Sequence, residues 1–289
     1  MQGRIFAGLF LCSLLFVVGG NVHEQAQDIQ ARHSRYMDRA EVRHLGNSAM
    51  VTANFPRPLA QAVTALSEEY AWVIDFEDPP YYSKYDLVDD TAAEWRAAHP
   101  SAKGVTAIAG GTFQTQYPEN PDAATSPAEE EHILDRVVSD YNASTNPGRF
   151  SVRNEGDGRL AIIGTHIKDE NGQDQAVRPV LDTPISVQTD TRDALTTIRY
   201  ILDALNAKSR IKVVAGIMAD NALHQSQVTV GGENIPARTI LLQTLSAAKI
   251  KLYWLVYYDH DVNQYALSVL PLVKANYDAS GNRTTVLVR

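Results

Sequence analysis

A mixed α+β fold of two similar small domains, each with helices packed on a short mixed sheet, is predicted by three observations. Strand-length apolar runs alternate with helices whose apolar residues recur every three to four positions. The order strand, helix, strand, strand, helix, hairpin occurs twice. A polar stretch without apolar period, Asp169 to Asp174, separates the two occurrences.

The first domain is expected over 48–168. Ala49 to Phe55 is its first strand, and Pro58 suits the opening turn of a helix, where a missing N–H loses no bond. Leu59, Ala62, Val63, Leu66 and Tyr70 then line one helical face, and Ala71 to Phe76 is a strand stopped by Pro79 and Pro80. An insertion at about 80–103 follows. Val105–Ala109 and Thr112–Thr115 read as a strand pair broken at Gly110-Gly111. Ser126-Pro127-Ala128-Glu129 opens the next helix with a capping hydroxyl and a glutamate placed to reach back. Ile133, Leu134, Val137, Val138 and Tyr141 form its stripe. Phe150–Arg153 and Leu160–Ile163 close a hairpin about Asn154–Gly158.

The second domain is expected over 183–273. Pro184–Val187 is a strand, Thr191 caps a helix, and Leu195, Ile198, Ile201, Leu202 and Leu205 face inward. Ile211–Val214 and Gln227–Val230 are strands, the latter ending at Gly231-Gly232. Pro236 opens a helix, and Leu252–Tyr257 with Tyr265–Val269 makes the hairpin about Asp259-His260-Asp261. Residues 274–289 are a tail with one last strand at Val286–Val288.

Residues 1–20 read as a signal peptide. Arg4 precedes an apolar run from Ile5 to small residues at Gly19 and Gly20, shorter than a spanning helix needs. Cleavage near Asn21 would leave a polar tether, 21–47, and an exported, periplasmic or extracellular protein with no membrane span. Cys12 is the only cysteine and falls inside this run, so the mature chain holds itself together by its core. A formal net charge of −8 without a Lys/Arg cluster argues against nucleic acid as a partner.

In the second half, Ile211–Val214, Val228-Thr229-Val230, the Leu-rich helix Thr239–Leu245 and the hairpin with Trp254 and Tyr265–Val269 resemble the secretin and TonB short N-terminal domain. Pro58–Leu66 resembles the first helix of that module. No secretin pore or receptor barrel follows Val269. The resemblance implies a protein-contact module of the bacterial envelope, with another envelope protein as partner.

Reactive chemistry is sparse. No G-x-S-x-G, P-loop or H-E-x-x-H motif occurs, and no catalytic residue, metal or cofactor is assigned. Glu129 and His132 share a helix face, but acids in a first turn complement the helix dipole. Asp259-His260-Asp261 reads as turn chemistry. Glu77 and Asp78 are the candidate acid–base pair of an alternative hydrolase reading, although adjacent strand residues point to opposite faces. A periplasmic small-ligand carrier is the other alternative. The segment from Glu77 to Trp95 gathers aromatics and acids outside the regular pattern. Tyr81, Tyr82, Tyr85, Trp95, Asp86 and Asp89 are its candidate binding residues. Large aromatics serve packing first, so the default expectation is that these rings fold back onto the first domain.

Overall fold

The computed structural model describes residues 40–119, 126–278, 280 and 283–289. The signal segment expected at 1–20 and most of the tether lie outside them. Residues 41–44 of that tether form a strand, β1 (Glu41–His44), paired with β2 (Ser48–Ala53). Helix α1 (Pro58–Tyr70) buries Leu59, Ala62, Val63 and Leu66, as their spacing requires, and leads to β3 (Val73–Glu77). An excursion holds β4 (Leu87–Asp89), α2 (Ala93–Ala98) and β5 (Thr106–Ile108). Then come β6 (Phe113–Pro118), α3 (Pro127–Ala143), β7 (Arg149–Gly156), β8 (Arg159–Lys168) and β9 (Asp174–Ala176). The capping box at α3 forms as expected. Glu129 N–H donates to Ser126 Oγ at 3.3 Å, and Ser126 N–H donates to Glu129 Oε2 at 2.8 Å.

The second half runs β10 (Pro184–Asp193), α4 (Ala194–Asn206), β11 (Lys212–Met218), α5 (Asp220–His224) and β12 (Gln227–Pro236). It continues through α6 (Ala237–Ser246), β13 (Leu252–Asp259) and β14 (Gln264–Pro271). The tail is a hairpin, β15 (Val273–Tyr277) with β16 (Arg283–Leu287), rather than one last strand.

The two halves share one topology. In the first, β2 pairs antiparallel with β6, while β8 lies parallel to β3 and antiparallel to β7. In the second, β10 pairs antiparallel with β12, while β14 lies parallel to β11 and antiparallel to β13. Each half therefore sets two helices against a small antiparallel sheet and a larger mixed one.

The halves do not close separately. Their larger sheets fuse in the order β11-β14-β13-β3-β8-β7 through a parallel joint, Leu255 opposite Phe76 and Val256 opposite Glu77. One apolar cluster runs through both, and Arg39–Arg289 is one compact unit. The physical reason is β3, buried at all five positions, which makes it an interior strand that needs a neighbour on each side. Asp169–Asp174 is accordingly no hinge but the turn between β8 and β9.

Three local readings also change. Strand β10 extends through Asp193, whose carboxylate accepts from Thr196 N–H at 3.0 Å. Asp193 is thus the cap of α4, and Thr191 instead bonds Thr229 across the ladder at 2.7 Å. Strand β12 passes through Gly231-Gly232 to Pro236, because a Cβ at Gly231 would lie 2.4 Å from Thr189 N, where β10 bulges. The segments around Gly110-Gly111 are not paired together; β5 joins β4 and β6 joins β2.

Candidate functional site

Two regions gather the unusual chemistry, the joint and the insertion. At the joint, β13 meets only the C-terminal part of β3, and side chains complete the bonding. Asp75 Oδ1 accepts Trp254 N–H at 2.8 Å and is held by Arg159 at 2.8 Å, while Arg159 Nη2 donates to Leu252 O at 2.7 Å. Beyond the paired residues, Asp78 Oδ2 accepts Tyr258 N–H at 3.2 Å and Arg57 Nε at 2.7 Å, while Arg57 Nη2 donates to Tyr258 O at 2.7 Å. Between them, Glu77 takes Arg238 Nη2 at 2.6 Å and Leu181 N–H at 3.2 Å. A carboxylate and a guanidinium together thus act as a surrogate strand at each end of the joint.

These contacts decide the acid–base candidates. Glu77 and Asp78 do not converge; one faces Arg238 and the other Arg57, as alternation along a strand demands. Both residues are almost wholly buried, and the void beside Asp78, Arg57 and Tyr81 measures about 10 Å³, at the limit for one water. Burial pushes the carboxyls of Asp75, Glu77 and Asp78 up, and the guanidinium beside each pulls it back. Asp182 differs. Burial raises it too, but Arg153 and Arg238 outweigh that and hold it below the usual carboxylate range.

The insertion, 78–112, leaves β3 at Pro79, pressed so closely on β8 that a Cβ at Gly164 would lie 2.4 Å from Pro79 Cδ. Three anchors fix it. Asp86 Oδ2 accepts Lys168 N–H at 2.7 Å and Ser83 Oγ donates to Asp169 O at 2.8 Å, both at the end of β8. Asn146 Oδ1 accepts Gly111 N–H at 2.9 Å. His260 Nε2 lies 2.9 Å from Thr106 O, and Lys103 meets Asp261 at 2.9 Å, so the insertion reaches the β13–β14 turn of the other half. Asp259-His260-Asp261 therefore serves as a support for the insertion.

The candidate binding residues divide. Tyr81 folds back and is buried, and so is Asp86, whose carboxyl burial pushes up. Asp89 is exposed, and bonds from Thr91, with Arg96 beside it, hold its carboxyl below the usual range. Tyr82, Tyr85 and Trp95 stay exposed at 50%, 50% and 40%. Tyr82 Oη donates to Gln175 at 2.7 Å, Lys84 Nζ sits 5.1 Å from the Tyr85 ring, and Trp95 stacks on His99 at 4.8 Å. Sequence reasoning missed Val88 and Val105, which are exposed in the same segment. Their signal was a β-branched side chain set among charged and small residues.

Glu129 belongs to the capping box, and among the described residues no cluster of three or more His, Asp or Glu is arranged to hold a metal. No helix among the described residues is long and apolar enough to cross a membrane. An open cleft of about 620 Å³ lies between the β7–β8 turn and α6, with Lys249, Lys251, Glu155 and Asp157 in its lining. No protein-family model matches this sequence, and comparison with curated proteins and with solved structures gave no match.

Proposed function

We infer that this is an exported contact protein of the bacterial envelope, which holds another envelope protein on its insertion and carries out no catalysis. The observation that carries this reading is the concentration of apolar surface. Five of the twelve large apolar side chains exposed among the described residues (Tyr82, Tyr85, Val88, Trp95 and Val105) fall within the one inserted segment 78–112. Aromatic side chains with polar edges on an anchored support are the usual anchors of protein contacts. The strand, helix, strand, strand, helix, hairpin order of the second half supports kinship with the secretin and TonB short N-terminal domain. The apolar run of residues 5–20 supports export.

The test is quantitative recovery of the partner from envelope extracts. A Tyr82→Ser/Tyr85→Ser/Trp95→Ser variant should keep the wild-type melting temperature and lose at least about tenfold in recovery, the equivalent of one strong anchor. Recovery unchanged in a folded variant removes the insertion from the contact.

A further inference from the structure

The fused sheet leaves two outer edges, β11 and β7, and by topology these are the counterparts of the two strands that meet inside. Strand β11 corresponds to β3, and β7 corresponds to β13. A second copy of the chain that laid its β7 along β11 would repeat the internal joint, and an assembly of that head-to-tail kind does not close on itself. Among the described residues no strand pairs with either outer edge.

Each outer edge is covered by one asparagine. Asn206, the last residue of α4, donates from Nδ2 to Val213 O at 2.9 Å and accepts Val213 N–H on Oδ1 at 2.8 Å. Asn142, in the last turn of α3, does the same to Phe150, at 2.8 Å and 2.9 Å. A side-chain amide bonding both groups of one strand residue occupies the place of a neighbouring strand. The helices that lead into the outer strands, α3 and α4, end with such an asparagine. The helices that lead into the inner strands, α1 and α6, end in Glu69-Tyr70-Ala71 and Leu245-Ser246-Ala247 and carry none. Past Val213 the β11 edge offers Ala215 before the strand turns irregular, where Ile217, 68% exposed, gives its N–H to Ser268 Oγ at 3.0 Å, so the amide sits where pairing would start.

We propose that Asn142 and Asn206 are edge covers that limit the sheet to two repeats, and that the surface they close is a self-association site, β7 of one copy on β11 of the next. The partner class is therefore a second copy of this chain, bound through its main chain.

The geometry sets an asymmetric test by sedimentation velocity on the purified full chain. Asn206→Ala frees only β11 and Asn142→Ala frees only β7, so each alone should sediment as the wild type does. An equimolar mixture of the two should show a new species of twice the mass, and the double variant should grow with concentration into longer assemblies. Amide exchange at Val213 or Phe150 should rise in the corresponding single variant and fall again on mixing. Asn→Asp variants, which keep the bond from the strand N–H and lose the one to its carbonyl, serve if an alanine variant fails to fold. A mixture of folded single variants that stays at the wild-type mass overturns the proposal. Self-association of Asn206→Ala alone also overturns it, because the contact would then be symmetric.

Discussion

In the N-terminal repeat the strand after the first helix reads Val73-Ile74-Asp75-Phe76-Glu77; its counterpart in the C-terminal repeat reads Lys212-Val213-Val214-Ala215-Gly216. Both lie parallel to the last strand of their own hairpin, so the backbone treats them alike. The side chains do not. The first carries two of the three acids whose arginine partners hold the halves together; the second carries no acid and leaves Ile217 to solvent. The connections that follow differ as well. After β3 the chain spends 78–112 on the insertion, and after β11 it spends 219–226 on a single helical turn before β12. A shared topology thus fixes the framework, and the departures from it mark the joint and the insertion proposed as the contact surface.

The comparison is broken most severely at the joint. Arg238→Ala leaves Glu77 buried without its cation and should cost about 3–5 kcal/mol in urea unfolding, whereas Ile217→Thr on the counterpart strand should stay within about 0.5 kcal/mol. A small loss for Arg238→Ala would mean that the two halves do not depend on this ion pair. Within the insertion, Tyr81→Ala opens the core and should cost about 3 kcal/mol, while Tyr82→Ala or Trp95→Ala should each stay within about 0.5 kcal/mol. Thermal and denaturant curves on the three variants separate support from surface. The caps come next: Ser126→Ala in the first repeat and Asp193→Ala in the second should each cost about 1 kcal/mol, equal by role though different in chemistry.

The smallest effect concerns β1, which has no counterpart in the second repeat. His44 lies 2.7 Å from Glu119 and 3.2 Å from Glu69, and the bond to Glu119 raises its pKa above 6.5 against a smaller loss from burial. A raised folded value means the stabilisation is complete below 6.5 and fades as the pH climbs through the folded pKa. His44→Ala should therefore flatten the loss of stability as the pH rises above 6.5, and a dependence unchanged by the substitution contradicts the assignment.

Much of the framework was legible because helices α1, α3, α4 and α6 and the two hairpins announce themselves by period and punctuation, and the doubled order followed from them. The fusion of the halves was not legible. A strand such as β3 reads the same whether it ends a sheet or continues one, and only its complete burial, a property of the far half, distinguishes the two. The role of Asp75, Glu77 and Asp78 was hidden for the same reason, since Arg238 lies 161 positions from Glu77 in sequence. The insertion was recognised from its composition, and Tyr82, Tyr85 and Trp95 lie on its surface. Tyr81 and Asp86 were grouped with them because side-chain type cannot tell which ring turns inward.

A photo-reactive amino acid placed at Tyr85 or Trp95 in the living cell tests most directly whether the insertion is the face that touches a partner. A discrete cross-linked species should form from either position and be absent when the same group replaces Tyr200, which is equally exposed on α4. Cross-linking from Tyr200 with none from Tyr85 or Trp95 would place the contact elsewhere and contradict the reading.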